Sequence, residues 1–450
     1  MKHATAAASR FYQLALSNVS APDTARRIKQ QLAELLFASS RFDDAIPFLR
    51  DLADSEHSEH DEVSWRWKHL YSRVGSRPWD AYELLAEANR LEEQARRVGH
   101  PEALYHALRA QVIVECRQLS DHTLGRQRTA LLELSEQYPE TRVGTMACRL
   151  AADHIAGTED AFKGLAHADT ARRWAESIGE PELLIECLRS VAMTQYFCGR
   201  VREARTTMHS ALGVVERSGA VLYQSLILPK LISIVVELDA REETEQLIES
   251  VERLDAQRDW NDLAMSLANR AVLLYHNGEY VQCADVCKSS ASASKAGSWL
   301  EVGVRGVLGL CLLEIGSMHE ALREADHLKV LLSTTDVIHG DISYPLMLIA
   351  RIAGLQRTER DVEELIRRKH HQYATRDYVC RSRIQLALGE TIARRSSTES
   401  LALVSEVVQE AEARGLKALL DQGNATMRRI GRRTGVPRMA NTKLHTRSFA

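Results

Sequence analysis

A spacing that returns about every 40 residues constrains this chain more than any single residue in it. Leu32, Ala33 and Leu36 precede a short break at Ser39-Ser40-Arg41, and Phe42, Ala45, Leu49 and Leu52 follow it. Val191, Ala192 and Gln195, then Gly199, then Val201, Ala204, Met208 and Ala211 keep the same offsets. Leu308, Gly309 and Leu312, then Gly316, then Met318, Ala321, Ala325 and Leu328 keep them again, as do Ala271, Leu274, Gly278, Tyr280, Cys283 and Cys287. Apolar residues so spaced lie on one face of each of two helices, with the break as the turn between them. Antiparallel helices approach closely only where small residues sit at the crossing. Ala33, Ala192, Ala271 and Gly309 take that place on the first helix, and Ala45, Ala204, Cys283 and Ala321 on the second. Glycine at the break ends the first helix in a left-handed conformation at little steric cost. A single hairpin cannot bury its own outer residues, so such hairpins must stack.

Composition agrees with helix throughout. Ala, Leu, Glu and Arg dominate, aromatic residues are sparse at 6%, and there are nine prolines in 450 residues. Val, Ile and Thr build no alternating runs, so strands are not expected. The net charge of −3 divides into +7 after Asp421 and −10 over residues 1–421, which excludes a general nucleic-acid binder. Eight cysteines scattered through helical patterns read as free buried thiols of a reducing compartment, not a disulfide framework. The start, MKHATAAASRFYQLALSNVS, lacks the apolar core of a signal peptide, and no run is long enough to span a membrane. The expected location is cytoplasmic.

The repeat resembles the tetratricopeptide repeat in its small–small crossing, in the Gly278-Glu279-Tyr280 turn and in the large residue four places after the second alanine. It departs from the 34-residue form. Second-helix small positions fall near 45, 204, 244, 283, 321 and 402, and further hairpins are expected at 70–98, 104–138 and 147–178. Helices of this greater length resemble the tetratricopeptide regions of large bacterial signal-transduction ATPases and their LuxR-type relatives. The resemblance implies an all-α, right-handed superhelical solenoid of about nine to ten hairpins. AASRFYQLAL, from Ala7 to Leu16, reads as the second helix of a partial first repeat. Residues 54–64 and 333–345 read as connections. The array is expected over 1–427, followed by a basic, flexible tail over 428–450 that carries Arg428, Arg429, Arg432, Arg433, Arg438, Lys443 and Arg447.

No constellation for catalysis appears, and the chain reads as a non-enzyme without cofactor or metal. The phosphate loop G-x-x-x-x-G-K-[ST], G-x-G-x-x-G and G-x-S-x-G are missing. His319-Glu320 begins a zinc motif, but Arg323 stands where its second histidine belongs, and Glu324-x-x-His327 is a single pair where a di-iron bundle needs two. Cys283 and Cys287 share a helical face and could bind metal or redox-couple, but both fall on packing offsets of the repeat. His57 and His60 sit in an acidic loop and read as solvated. Trp65 and Trp67 could form a recognition platform, with core packing the favoured alternative.

In the resembled fold the first helices line an inner groove. Their outward offsets select Arg189, Met193, Phe197, Ser233, Val236, Val272, Tyr275, His276, Leu310, Leu313 and Glu314. This mixture suits a peptide or helix, and packing against the next helix is the competing assignment. The expected function is a protein–protein interaction scaffold or regulator that binds a protein or peptide in the groove. The alternative is a ligand-sensing module whose ATPase or DNA-binding part lies on another chain. No membrane partner is expected. Nucleic acid enters only through weak, salt-sensitive contacts of the tail.

Overall fold

The structure is a computed structural model that describes residues 2–76, 80–118, 124–220, 223–256, 263–293, 299–334 and 341–434. Among the described residues there are 22 α-helices and no strand. Helix α1 (Lys2–Asn18) precedes the first hairpin, which is α2 (Pro22–Ala38) and α3 (Phe42–Asp54). Then follow α4 (Glu59–Gly75) with α5 (Ala81–Val98), α6 (Pro101–Gln118) with α7 (Leu124–Gln137), and α8 (Arg142–Thr158) with α9 (Ala161–Ile178). The array continues with α10 (Pro181–Phe197) and α11 (Val201–Ser218), α12 (Gln224–Val236) and α13 (Arg241–Ala256), and α14 (Leu263–Asn277) and α15 (Tyr280–Ala293). The last pairs are α16 (Trp299–Glu314) with α17 (Met318–Thr334), α18 (Ser343–Gln356) with α19 (Arg360–Gln372), and α20 (Tyr378–Ile392) with α21 (Ser397–Arg414). Helix α22 (Lys417–Thr434) ends it. This is an all-α repeat solenoid of tetratricopeptide-like hairpins.

The turns carry the repeat most visibly. Between first and second helices Ser40, Gly199, Asp239, Gly278, Gly316 and Arg357 all have φ between +57 and +83. Second helices end on Gly99, Gly179, Gly219 and Gly415, with φ between +68 and +77. Helix starts are also written locally. The Asp80 carboxylate accepts from the Glu83 amide at 2.9 Å, and the Asp377 carboxylate accepts from the Cys380 amide at 3.0 Å. Pro22 and Pro181 open α2 and α10, where no intrahelical N–H is lost.

Contacts group the chain into two compact units, one of residues 1–151 with 173–178 and one of 152–172 with 179–450. In the first unit Val63, Trp67, Leu70, Leu84 and Leu91 form one core and Leu32, Leu36, Leu49, Leu52 and Trp65 another. The two tryptophans are therefore core residues, not a platform. His106 stacks on Trp67 with centroids 4.4 Å apart, and its burial drives its pKa well down, so it is neutral.

The second unit closes on itself. One core joins Ile185, Ala192, Met208, Ile227 and Leu231 to Tyr378, Leu386, Val404, Leu419 and Ile430. Gly199 makes the closure possible, since a Cβ there would lie 2.6 Å from the Tyr378 ring. The Arg414 guanidinium covers that ring at 4.2 Å and donates to the Cys198 carbonyl at 3.3 Å. Helix α20 consequently has no solvent face: fourteen of its residues are buried, Arg383 and Glu390 among them.

The crossing residues Ala33, Ala192, Ala45, Ala204, Cys283 and Ala321 are fully buried, and Ala271 is nearly so. Gly309 has a different neighbour from the one its offset implies. A Cβ on it would lie 2.1 Å from Leu348 Cδ2, so it admits α18, the next first helix. Gly306 does the same for Pro345 at 2.3 Å.

Candidate functional site

First helices of the second unit converge on a polar interior with two differently charged ends. At one end Arg383 of α20 is buried to 1% exposure and donates to both Glu237 oxygens, at 2.6 and 2.9 Å. Its Nε donates to Gln422 of α22 at 2.8 Å, and its Nη1 reaches Asp341 at 3.5 Å. Burial works against the Arg383 charge, but Glu237, Tyr344 and Asp341 outweigh it and raise its pKa. Asp377 also faces this cluster. Burial lifts its carboxyl to about 7, against the Cys380 amide and with help from Asp341. Glu237 and Asp341 thus share the one guanidinium, with the Asp377 carboxyl nearby, and this end is acidic.

Aromatic side chains lead away from it. The Arg383 guanidinium lies over the Tyr344 ring at 4.8 Å. Tyr344 shares a 3.0 Å hydrogen bond with His276 Nε2, and Tyr275 meets the same ring edge-on at 5.8 Å. Burial and the Arg383 charge push His276 down to about 3, so it is a neutral imidazole. Tyr196 of α10 is half-buried beside these groups, and burial drives its phenol well up.

The other end is basic. Arg351 of α18 donates to Glu314 at 2.8 Å. Arg429 and Arg433 of α22 both pair with Glu390 of α20, at 3.2 and 3.1 Å. Burial lowers the Arg429 pKa despite Glu390, and the Arg351 charge adds to the effect.

The groove residues named from sequence divide between this interior and the core. Tyr275 and His276 belong to the interior, and Glu314 is exposed at its basic end. Arg189 pairs with Glu186 and Asp153, and Ser233 donates to the Pro229 carbonyl. Val236 and Leu310 are buried, while Met193, Phe197 and Val272 are partly buried against core clusters; Leu313 is half-buried. Of the seven basic residues assigned to a tail, Arg428, Arg429, Arg432 and Arg433 lie on α22, with Arg428 and Arg432 exposed. Arg438, Lys443 and Arg447 lie outside the described residues.

Sequence reasoning missed Tyr196, Glu237, Asp341, Tyr344, Arg351, Asp377, Arg383 and Glu390. One signal was available: Arg351 occupies a helix otherwise almost wholly apolar. Cys283 donates to the Ala271 carbonyl at 3.1 Å and lies 3.9 Å from Cys287; the hydrogen bond with Cys287 raises its pKa, so it is a packed thiol. His57, His60, His319 and His327 are exposed, and Glu324 pairs with Arg305 at 2.9 Å. Among the described residues no three His, Cys, Asp or Glu side chains are placed to hold a metal ion, and no helix is long and apolar enough to cross a membrane.

No family model and no curated protein matches the chain. Solved structures are similar to it in their arrangement of helices. A Rap protein complexed with competence and sporulation factor is 14% identical, covers 74% of this chain and 99% of its own, and has a TM-score of 0.46. The apo quorum sensor NprR of B. thuringiensis is 12% identical over 90% of this chain and 97% of its own, at 0.41. The human IFIT1 dimer with m7Gppp-AAAA is 10% identical over 95% and 94%, at 0.48.

Proposed function

We propose that this is a non-catalytic binding protein, and that it holds a short peptide or an extended protein segment against the interior of its second unit. The observation that carries the reading is the segregation of charge along that interior. An acidic end, with Glu237, Asp341 and Asp377 at helix termini, and a basic end on α18 and α22 are separated by tyrosines and a neutral histidine. Tyr196 and His276 are half-buried and offer aromatic area for side chains, Tyr275 and Tyr344 are buried against them, and the two ends offer opposite charges. In its finer form the protein is a regulator in the cytoplasm, where its buried thiols stay reduced. Retention of a pooled random pentapeptide library by the full chain tests the reading. The wild type should hold a selected subset, and Tyr196→Ala and His276→Ala should each release most of it. Retention of nothing, or retention unchanged in both variants, rejects it.

A further inference from the structure

The basic end of the interior has more donors than its own acceptors satisfy. Arg351 is 7% exposed, and its Nε has no hydrogen-bond partner among the described residues. The same holds for Arg433 Nη1, which is also buried. A buried guanidinium N–H without an acceptor is costly, and the full complement of donors is met only by adding one. The site is built rather than incidental. Arg433 lies across α18 because residue 354 is glycine; a Cβ there would fall 2.1 Å from Arg433 Nη1. Arg429 is oriented by Thr426 at 2.7 Å as well as by Glu390. The charge count decides the ligand. Three guanidinium groups face two carboxylates, Glu390 and Glu314, leaving one positive charge in excess.

We infer that Arg351, Arg429 and Arg433 form a seat for one carboxylate group of a bound ligand. A carboxylate neutralises a single excess charge and matches the planar fork of arginine in bidentate fashion. A phosphate monoester carries close to two charges at neutral pH and overcompensates it. The inference rests on the reading of the interior as a ligand site and names one group of that ligand. Either a peptide C-terminus or an Asp or Glu side chain could supply it.

The test is a titration of the full-length ¹⁵N-labelled protein, following the arginine Nε–H resonances. Those of Arg351, Arg429 and Arg433 are assigned by Lys substitution. N-acetylalanine and the α-amide of N-acetylaspartic acid each carry one carboxylate, terminal in the first and side-chain in the second. N-acetylalanine amide carries none. Either acid should shift the Arg351 and Arg433 resonances saturably, the tighter of the two identifying the source, and the amide should leave them in place. Arg433→Gln should weaken the acid at least tenfold as read on Arg351. Arg351→Lys keeps the charge, loses the fork and should weaken it similarly as read on Arg433. Equal responses to acid and amide, no response to either acid, or unchanged affinity in both variants overturns the seat. Inorganic phosphate binding more tightly than both acids overturns it in favour of a phosphate ligand. The peptide library separates the two readings. Peptides held while acid and amide act alike leave the peptide reading and remove the seat; acids that titrate while no peptide is held do the reverse.

Discussion

At the scale of single residues, the Arg383–Glu237 pair shows how much one buried contact governs. The two residues lie 146 positions apart and are almost fully buried. Removing one partner leaves an uncompensated charge, which typically costs about 3–5 kcal/mol, whereas removing both costs far less. Arg383→Met should therefore lower the urea midpoint strongly, and Arg383→Met with Glu237→Leu should recover a large part. A double variant no better than the single one would show that Arg383 acts through Gln422 or Asp341 instead. Asp377 makes the stability depend on pH. Its folded pKa is raised from an ordinary 3.8 to about 7, so the folded state holds a proton that the unfolded state releases. Its contribution is fully present below about 3.8 and declines as pH rises toward 7. Asp377→Asn keeps the cap. It should be more stable than wild type at pH 8, with the difference shrinking from pH 7 down to pH 4. A difference that grows on acidification reverses the sign and rejects the assignment.

At the scale of helices, two glycines, one inside α16 and one in the turn that follows it, separate strain from space. Gly316 has φ +83, and nothing lies within 4 Å of where its Cβ would be. Gly316→Ala should cost about 1–2 kcal/mol through the left-handed backbone alone. Gly309 sits inside α16, where a Cβ would meet Leu348. Gly309→Ala should be destabilising by overpacking, on the order of 1–3 kcal/mol, and Leu348→Ala should relieve it in part. Thermal unfolding of the two single variants and of the Gly309–Leu348 double variant makes the comparison. Additive losses in the double variant would mean that α16 and α18 do not meet at this point. Hairpins are also joined by ion pairs one repeat apart: Arg205–Glu243, Arg241–Glu279, Arg351–Glu314 and Arg429–Glu390. The exposed members add little individually.

At the scale of the whole molecule, the end of the array decides what a truncation does. Ile430 is fully buried, and Arg429 and Arg433 hold Glu390. A chain stopped after Met427 should therefore unfold at a lower temperature than one stopped after Thr434, which should match the full-length protein. Equal midpoints for the two truncations would remove α22 from the core of the second unit. The chain stopped after Thr434 also loses Arg438, Lys443 and Arg447. Against the full-length protein it should show only a small loss of duplex DNA binding at low salt and none at physiological salt.

What the amino-acid sequence determined by itself is local. Ala204 and Ala321 announce a helix crossing, and Gly278 and Gly316 a left-handed turn, because packing within one hairpin involves residues about a dozen apart and one backbone conformation. The offsets of Tyr275 and His276 within a first helix likewise set the side of that helix they take, but not that Tyr275 is buried there. The polar interior itself was decided only by the tertiary structure. Glu237 and Arg383 carry no mutual spacing signal, since they meet where the second unit returns on itself. Arg429 and Arg433 read as the start of a basic tail because nothing nearby in the sequence opposes their charge. Their partner, Glu390, reaches them from a helix buried on every side. A charge in water and a charge in a buried pair are the same letter in a sequence; the fold alone supplies the carboxylate that distinguishes them.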